Sequence, residues 1–254
     1  MYHRNIGFIL TNLVLRDFTI RYRNMSLGFL WSLLNPIVMM SVLSFVVMVM
    51  FRPEGIKDFY LLVLSGIVVY NFFSLGWLTA TVSIFGNAGL VKRVPIPREL
   101  LPIATVLANS LHFLIQILLL VILVLHAGYG VNKYWLLLPV LFGLEIVFVC
   151  GLSLLTSALD VYFRDTRYLV ESFNTVLFWL VPIFYTFSMI PQEYRSIYQY
   201  NPIAAVVLAI RAVMLDGVMP PGPLLVKLPL VSFTFLLIGI VVFRRLKRNF
   251  ADYL

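Results

Sequence analysis

The sequence predicts an all-α integral membrane protein, one transmembrane domain over residues 1–254. An amphipathic interface helix comes first, then six transmembrane helices, with a short apolar segment before the last that does not cross. Three observations carry this. Of the 254 residues 61% are hydrophobic and 12% charged, about half the charged fraction of an ordinary soluble domain, roughly 25%. Apolar runs of the length needed to span a bilayer, about 20 residues, recur with short connections. Lysines and arginines collect at the ends of those runs, where they report orientation rather than nucleic-acid binding. The chain is too short to hold a soluble catalytic domain as well.

Residues 5–30 form the interface helix and the turn that follows it. Asn5, Asn12, Arg16, Thr19 and Arg23 fall on one helical face, and Ile6, Ile9, Leu10, Leu13, Val14 and Phe18 on the other. Such a helix is expected in the headgroup plane, apolar side down, with its arginines near lipid phosphates. A plain N-terminal anchor is the competing reading. The chain then turns at Leu27-Gly28. No short basic region followed by an apolar core and a small-residue cleavage site is seen, so no cleavable signal is expected.

Span one is expected from about Leu33 to Phe51, Pro36 being tolerable near its start. A near-neutral loop with Arg52, Glu54, Lys57 and Asp58 leads to span two, about Phe59 to Phe85, rich in Tyr60, Tyr70, Phe72, Phe73 and Trp77. The basic loop 86–99 has room for one short helix before Pro95 and Pro97 stop it. Span three, about Leu101 to His126, carries Asn109, His112 and Gln116 as a polar stripe. Span four, about Tyr134 to Leu159, carries Glu145 with Ser153 and Thr156 near the same face. Interhelical hydrogen bonding is the favoured reading of these polar groups, a wet pathway the other.

A charged turn, Asp160 to Arg167, precedes span five, about Tyr168 to Phe187, which Pro182 interrupts. Residues 188–223 are proline-rich, and within them 201–215 is too short to span, so it reads as a re-entrant or interfacial helix. The last span runs from about Leu224 to Phe243, and a basic tail occupies 244–254. With six spans, the N-terminal region, the loops 86–100 and 159–167 and the C-terminus share one side. That side holds about two thirds of the 19 lysines and arginines, so it is expected to be cytoplasmic, with both termini inside.

Several chemistries are missing. No Gly-x-x-x-x-Gly-Lys-Ser/Thr loop is present to cradle a nucleotide. His3, His112 and His126 are too scattered for a metal site, and no Ser-His-Asp or Cys-His grouping has plausible spacing. The lone Cys150 forms no intrachain disulfide. No catalytic residues and no metal are therefore assigned. Internal repeats and paired midplane charges, the marks of ion-coupled carriers, are not seen. Such a chain is expected to move something with energy taken from a partner.

Several motifs are more specific. Arg16-Asp-Phe-x-x-Arg-Tyr-Arg-x-x-x-Leu-Gly-x-x-Trp-x-x-x-x-Pro36 resembles the opening signature of the permease subunits of ABC exporters for bacterial polysaccharides, a family that includes O-antigen, capsule and teichoic-acid exporters. Lys92-Arg-Val-Pro-Ile-Pro-Arg-Glu99, Phe163-Arg-Asp165, Phe178-Trp-Leu-Val-Pro-Ile-Phe-Tyr185 and Asn201-Pro-Ile with Arg211 look like its other landmarks, in the same order. The resemblance covers essentially the whole chain. It implies a type-2 ABC exporter fold, with re-entrant gate helices between spans five and six, in a homodimer paired with two separate ATPase subunits. ATP and Mg would sit on those partners, and this chain would bind no cofactor.

The expected cargo is an undecaprenyl-pyrophosphate-linked polysaccharide, O-antigen first and capsule or teichoic acid next, crossing the bacterial inner membrane. Arg16, Arg21, Arg23, Leu27 and Gly28 then sit where the lipid headgroup is admitted, since arginine forks suit pyrophosphate. Tyr70, Phe72, Phe73, Trp77, Phe178, Trp179, Phe184 and Tyr185 are candidates to line a polysaccharide tunnel, because sugar C–H faces slide over aromatic rings; simple packing is the alternative. Leu90, Lys92, Arg93 and Arg98 are the candidates for coupling to the ATPase, and the outer gate would map to Pro182–Met189 and 191–215. A carrier-lipid transferase is a rival from another class. It would need a carboxylate pair, and the nearest, Asp160 and Asp165, has arginines beside it.

Overall fold

The computed structural model describes residues 6–23, 25–51, 57–94 and 96–253, so Asn5, Arg52, Glu54 and Pro95 lie outside it. In chain order the helices are α1 (Ile6–Tyr22), α2 (Trp31–Val46), α3 (Phe59–Thr81), α4 (Ser83–Gly86), α5 (Ala88–Arg93), α6 (Leu100–His126), α7 (Leu138–Tyr162), α8 (Thr166–Leu180), α9 (Gln192–Tyr200), α10 (Pro202–Met214), α11 (Gly222–Leu246) and α12 (Phe250–Tyr253). No strand occurs among the described residues.

Five helical stretches are long and apolar enough to cross a membrane: Trp31–Val49, Phe59–Thr81, Leu100–His126, Lys133–Tyr162 and Gly222–Asn249. The chain is a multi-pass membrane protein.

α3 is the hub. It is apolar all round, as a helix enclosed on every side must be, and Leu61, Val63, Leu64, Val68, Val69 and Phe73 are fully buried. α2, α6, α7, α8 and α10 all pack on it. Contacts along these helices fix their directions. Phe72 stacks on Phe113 while Thr79 accepts from Asn109, so α3 and α6 run antiparallel. Phe73 meets Phe148 and Trp77 meets Thr156, so α3 and α7 run parallel. Phe148 meets Phe235 and the Tyr162 hydroxyl reaches the Leu246 carbonyl, so α11 runs parallel to α7 as well. Between α7 and α11 the chain must therefore return. α8 does this, antiparallel to α3: Asn174 is bonded to Tyr70 and Ser74, and Ile183 lies over Gly66.

The fifth span expected from the sequence is helical only as far as Leu180. Fifteen residues make about 22 Å of helix, short of a hydrocarbon core of about 30 Å. Proline explains the stop: Pro182 has no amide to donate and disfavours helical torsions before it, and Val181 is extended, with φ −82° and ψ 135°. The return continues as a non-helical strap, residues 181–186, so the expected fifth span is a helix plus a strap and five long helical spans remain. Span two is also shorter than expected, breaking at Val82 into α3 and α4.

A second, smaller core lies at the basic end of the bundle, where Leu13, Ile84, Val91, Leu101, Ala104, Leu154, Phe243 and Phe250 cluster. It corrects the reading of α1. The apolar face with Ile9, Leu10, Leu13 and Val14 packs into this core and along α6, rather than facing membrane, while Phe8 and Leu15 are exposed on the opposite side. Protein and lipid offer the same apolar contact, so periodicity alone does not choose between them.

At the far end, α9 and α10 fold back between α8 and α11. Asn201 caps α10 by accepting from the amides of Ile203 and Ala204, and Pro202 follows at the first helical position, where it costs little.

Candidate functional site

The residues singled out for a lipid portal lie at the junction of α1, α2 and α6. Arg16 is committed within the protein: its Nε and Nη2 donate to Asp17 Oδ1 at 3.0 and 2.7 Å, and Asp17 Oδ2 also accepts from Thr105 at 3.0 Å. Arg23 is exposed. Arg21 differs from both. It is half-buried, makes no hydrogen bond among the described residues, and burial lowers its pKa, opposed more weakly by Tyr22 and Asp17. Leu27 is exposed, and Gly28 takes φ +50° to turn the chain into α2. A Cβ there would meet nothing within 4 Å, so glycine is needed for its torsion and not for space.

Behind this turn the polar stripe of α6 finds its partners. Tyr22 Oη bonds both His112 Nδ1 and Ser32 Oγ, and Gln116 Nε2 donates to the Ser32 carbonyl at 3.1 Å and faces His112 Nε2 at 3.2 Å. With Gln116 donating to Nε2, His112 carries its proton on Nδ1 and donates to Tyr22. This chain of bonds clamps the end of α1 and the start of α2 onto α6. Asn109 meanwhile donates to Thr79. Glu145 is different: it is buried with both oxygens unpartnered among the described residues. Sequence reading named the stripe and the portal separately; residues 90 apart carry no local sign of contact.

The two aromatic groups meet. Tyr70 crosses edge-to-face with Phe178 at 5.3 Å and donates to Asn174 Oδ1 at 2.9 Å. From Phe178 a ladder of edge-to-face rings continues through Trp179 (5.5 Å), Phe184 (5.6 Å), Tyr185 (5.4 Å) and Tyr198 (6.4 Å) to the far end. Trp179 is 61% exposed and Phe184 and Tyr185 half-buried. The inner rings sit elsewhere: Phe72, Phe73 and Trp77 are buried in the core of the bundle. Among them only Phe73 touches the ladder, 5.9 Å from Tyr70, while Phe72 stacks on Phe113 and Trp77 bonds Thr156; none presents surface to a cargo in this conformation. The Tyr185 hydroxyl bonds the Tyr198 hydroxyl at 3.2 Å and the carbonyl of Leu180 at 3.1 Å.

The coupling candidates divide likewise. Lys92 and Arg93 end α5 exposed, and Leu90 leans on the second core. Arg98 is occupied: its Nη1 donates to the Lys247 carbonyl at 2.7 Å and its guanidinium lies over the Phe250 ring. Lys247 in turn pairs with Glu99 at 3.0 Å. The tail is therefore folded onto the loop before α6, which hydropathy gave no means to foresee. Asp160 lies 4.0 Å from Arg167, and no group of three or more metal-ligating side chains occurs among the described residues.

Sequence comparison agrees with this arrangement. Residues 10–215 match the ABC-2 type transporter family. The chain is 28% identical over 254 residues to the O-antigen export system permease protein RfbA of Klebsiella pneumoniae, covering 98% of this chain and 97% of that protein. It is 29% identical over 248 residues to the protein of the same name from Myxococcus xanthus, covering 96% and 94%. It is 25% identical over 241 residues to the polysialic acid transport protein KpsM of Escherichia coli, covering 91% of each. A bundle of apolar spans with a basic end, matched over most of its length, is a transporter subunit, and the chain belongs to the ABC-2 type transporter family.

Proposed function

We propose that this chain is the permease of an ATP-driven exporter that carries an undecaprenyl-pyrophosphate-linked polysaccharide across the bacterial inner membrane, O-antigen being the first choice. The observation that carries this reading is the aromatic ladder from Tyr70 to Tyr198, on a chain similar over nearly its whole length to proteins named for O-antigen export. Rings met edge and face give a sugar chain many shallow contacts and no deep minimum, which suits a polymer in motion. The similarity to a polysialic acid transport protein supports capsular polysaccharide as the second reading.

In this account two copies form the pathway and two ATPase subunits, holding ATP and Mg, dock on the basic end, which is cytoplasmic along with both termini. α1 is the interface helix. Arg21 and the Leu27-Gly28 turn admit the pyrophosphate headgroup; Arg16 orders Asp17 beside it and Arg23 meets it from the surface. Phe178, Trp179, Phe184 and Tyr185 face the polymer, while Tyr70, with Phe73 against it, holds Phe178 from behind. Pro182–Met189 and residues 191–215 form the outer gate, with α9 and α10 as its re-entrant helices. Leu90, Lys92 and Arg93 couple to the ATPase, and Arg98 steadies the loop that presents them.

Co-purification with the ATPase encoded beside it tests this reading. The complex is expected to hydrolyse ATP, and Arg93→Glu, a charge reversal at an exposed position, to weaken it about tenfold or more. Failure of any ATPase to co-purify would remove the exporter reading.

A further inference from the structure

Arg211 lies within apolar α10, 6% exposed, between Ile210 and Ala212. A guanidinium so placed must have its donors met, because an unpaired buried charge is costly. Among the described residues no carboxylate bonds it. Its partners are neutral: Nε donates to Ser65 Oγ at 3.1 Å, Nη2 to the carbonyls of Leu62 at 2.9 Å and Ile183 at 2.7 Å, and Nη1 to the carbonyl of Tyr185 at 3.1 Å.

These partners fall into two sets. Leu62 and Ser65 belong to the hub helix α3, whereas Ile183 and Tyr185 belong to the strap that carries the outer half of the aromatic ladder. The strap is seated against α3 at Gly66, where a Cβ would come within 2.8 Å of Ile183 Cα. Beside the guanidinium lies a cavity of about 150 Å³, lined by Leu62, Thr186, Phe187, Leu208, Leu215 and Asp216, a nearby carboxylate that attracts the guanidinium without bonding it.

We infer that Arg211 is a releasable pin that positions the Phe184–Tyr185 end of the ladder, and that opening of the far end breaks its two bonds to the strap while its two bonds to α3 persist. The division of partners makes release feasible. When the strap departs, the guanidinium keeps Ser65 and Leu62, so the charge is never left bare. Carbonyl acceptors are also readily exchanged for water, which a carboxylate in a buried ion pair resists. Arg211 is thus a positioning residue, acting on the cargo path through the strap. The inference rests on the exporter reading only for what passes the strap; the pin itself is geometry.

The test is thiol accessibility in the complex with its ATPase in proteoliposomes, with Ile183→Cys in a Cys150→Ser background and a membrane-impermeant maleimide. Arg211→Met and Gly66→Ala attack the seat from opposite sides, and each is expected to raise the labelling rate about tenfold or more, with Arg211→Lys between them and the parent. A residue that only stabilised the fold would lower the melting temperature and leave the labelling rate alone. Equal rates in parent and variants would overturn the pin. Should Arg211→Met fail to assemble, Arg211→Lys, which keeps the charge but cannot reach both sets of acceptors, decides: a labelling rate equal to the parent's would overturn the pin. Labelling that responds to the variants but not to ATP would leave the pin standing and count against the exporter reading.

Discussion

Arg16 and Arg21 show how far one residue type can diverge within two turns of helix. Arg16 is spent on Asp17, whose second oxygen is held by Thr105; Arg21, half-buried, has no such partner among the described residues. A cation left this way is the better receptor for an anionic headgroup, since charge-assisted bonds to phosphate are the strong ones. Arg21→Ala is therefore expected to raise, by about tenfold, the concentration of a polyprenyl diphosphate that half-maximally stimulates ATP hydrolysis by the complex. Arg16→Ala is expected to lower thermal stability with a smaller effect on that concentration. Equal effects of the two substitutions would place headgroup recognition elsewhere. Sequence alone grouped these arginines with Arg23 as equals, because what separates them is Asp17 and a threonine 88 residues away.

Among the elements, the pairing of α7 with α11 depends on two glycines. A Cβ on Gly151 would come within 2.5 Å of the Leu236 nitrogen, and one on Gly239 would run into the Gly151 carbonyl. Small residues let membrane helices approach closely where no hydrophobic drive separates helix from lipid. Gly151→Ala must push backbone against backbone, and is expected to destabilise the chain by about 1–3 kcal/mol, as overpacking does. A melting curve of the detergent-solubilised complex checks this, and an unchanged midpoint would contradict the packing. The long helices were legible because hydropathy reports spans directly, and the short helix before Pro95 appears as α5 (Ala88–Arg93). α9 was not legible, since its polar sequence has no span signal and its place is set by α10 and α11. Nor was the meeting of the two ring groups, which depends on Tyr70 and Phe178 approaching across more than a hundred residues.

For the molecule as a whole, helix direction sorts its chemistry to two ends. α3, α7 and α11 run one way and α6 and α8 the other. This gathers Lys92, Arg93, Arg164, Arg244, Arg245 and Arg248, all exposed, at the end where the tail folds back, and the ladder with its pin at the opposite end. The positive charge read from the sequence is thus also one continuous basic end in space, the surface the proposed function assigns to the ATPase. Between the ends the bundle is filled: Phe72, Phe73 and Phe113 close its centre. In the proposed function a cargo path would therefore run over the outside of this bundle, along α8 and the strap, with a second copy closing it. The measurement that tests this most directly is surface polysaccharide in a strain lacking its own export permease. With this chain and its ATPase restored, polymer is expected on the surface, and Trp179→Ala is expected to cut it severalfold. Polymer that stays inside the cell, or export that proceeds without the ATPase, would contradict the account.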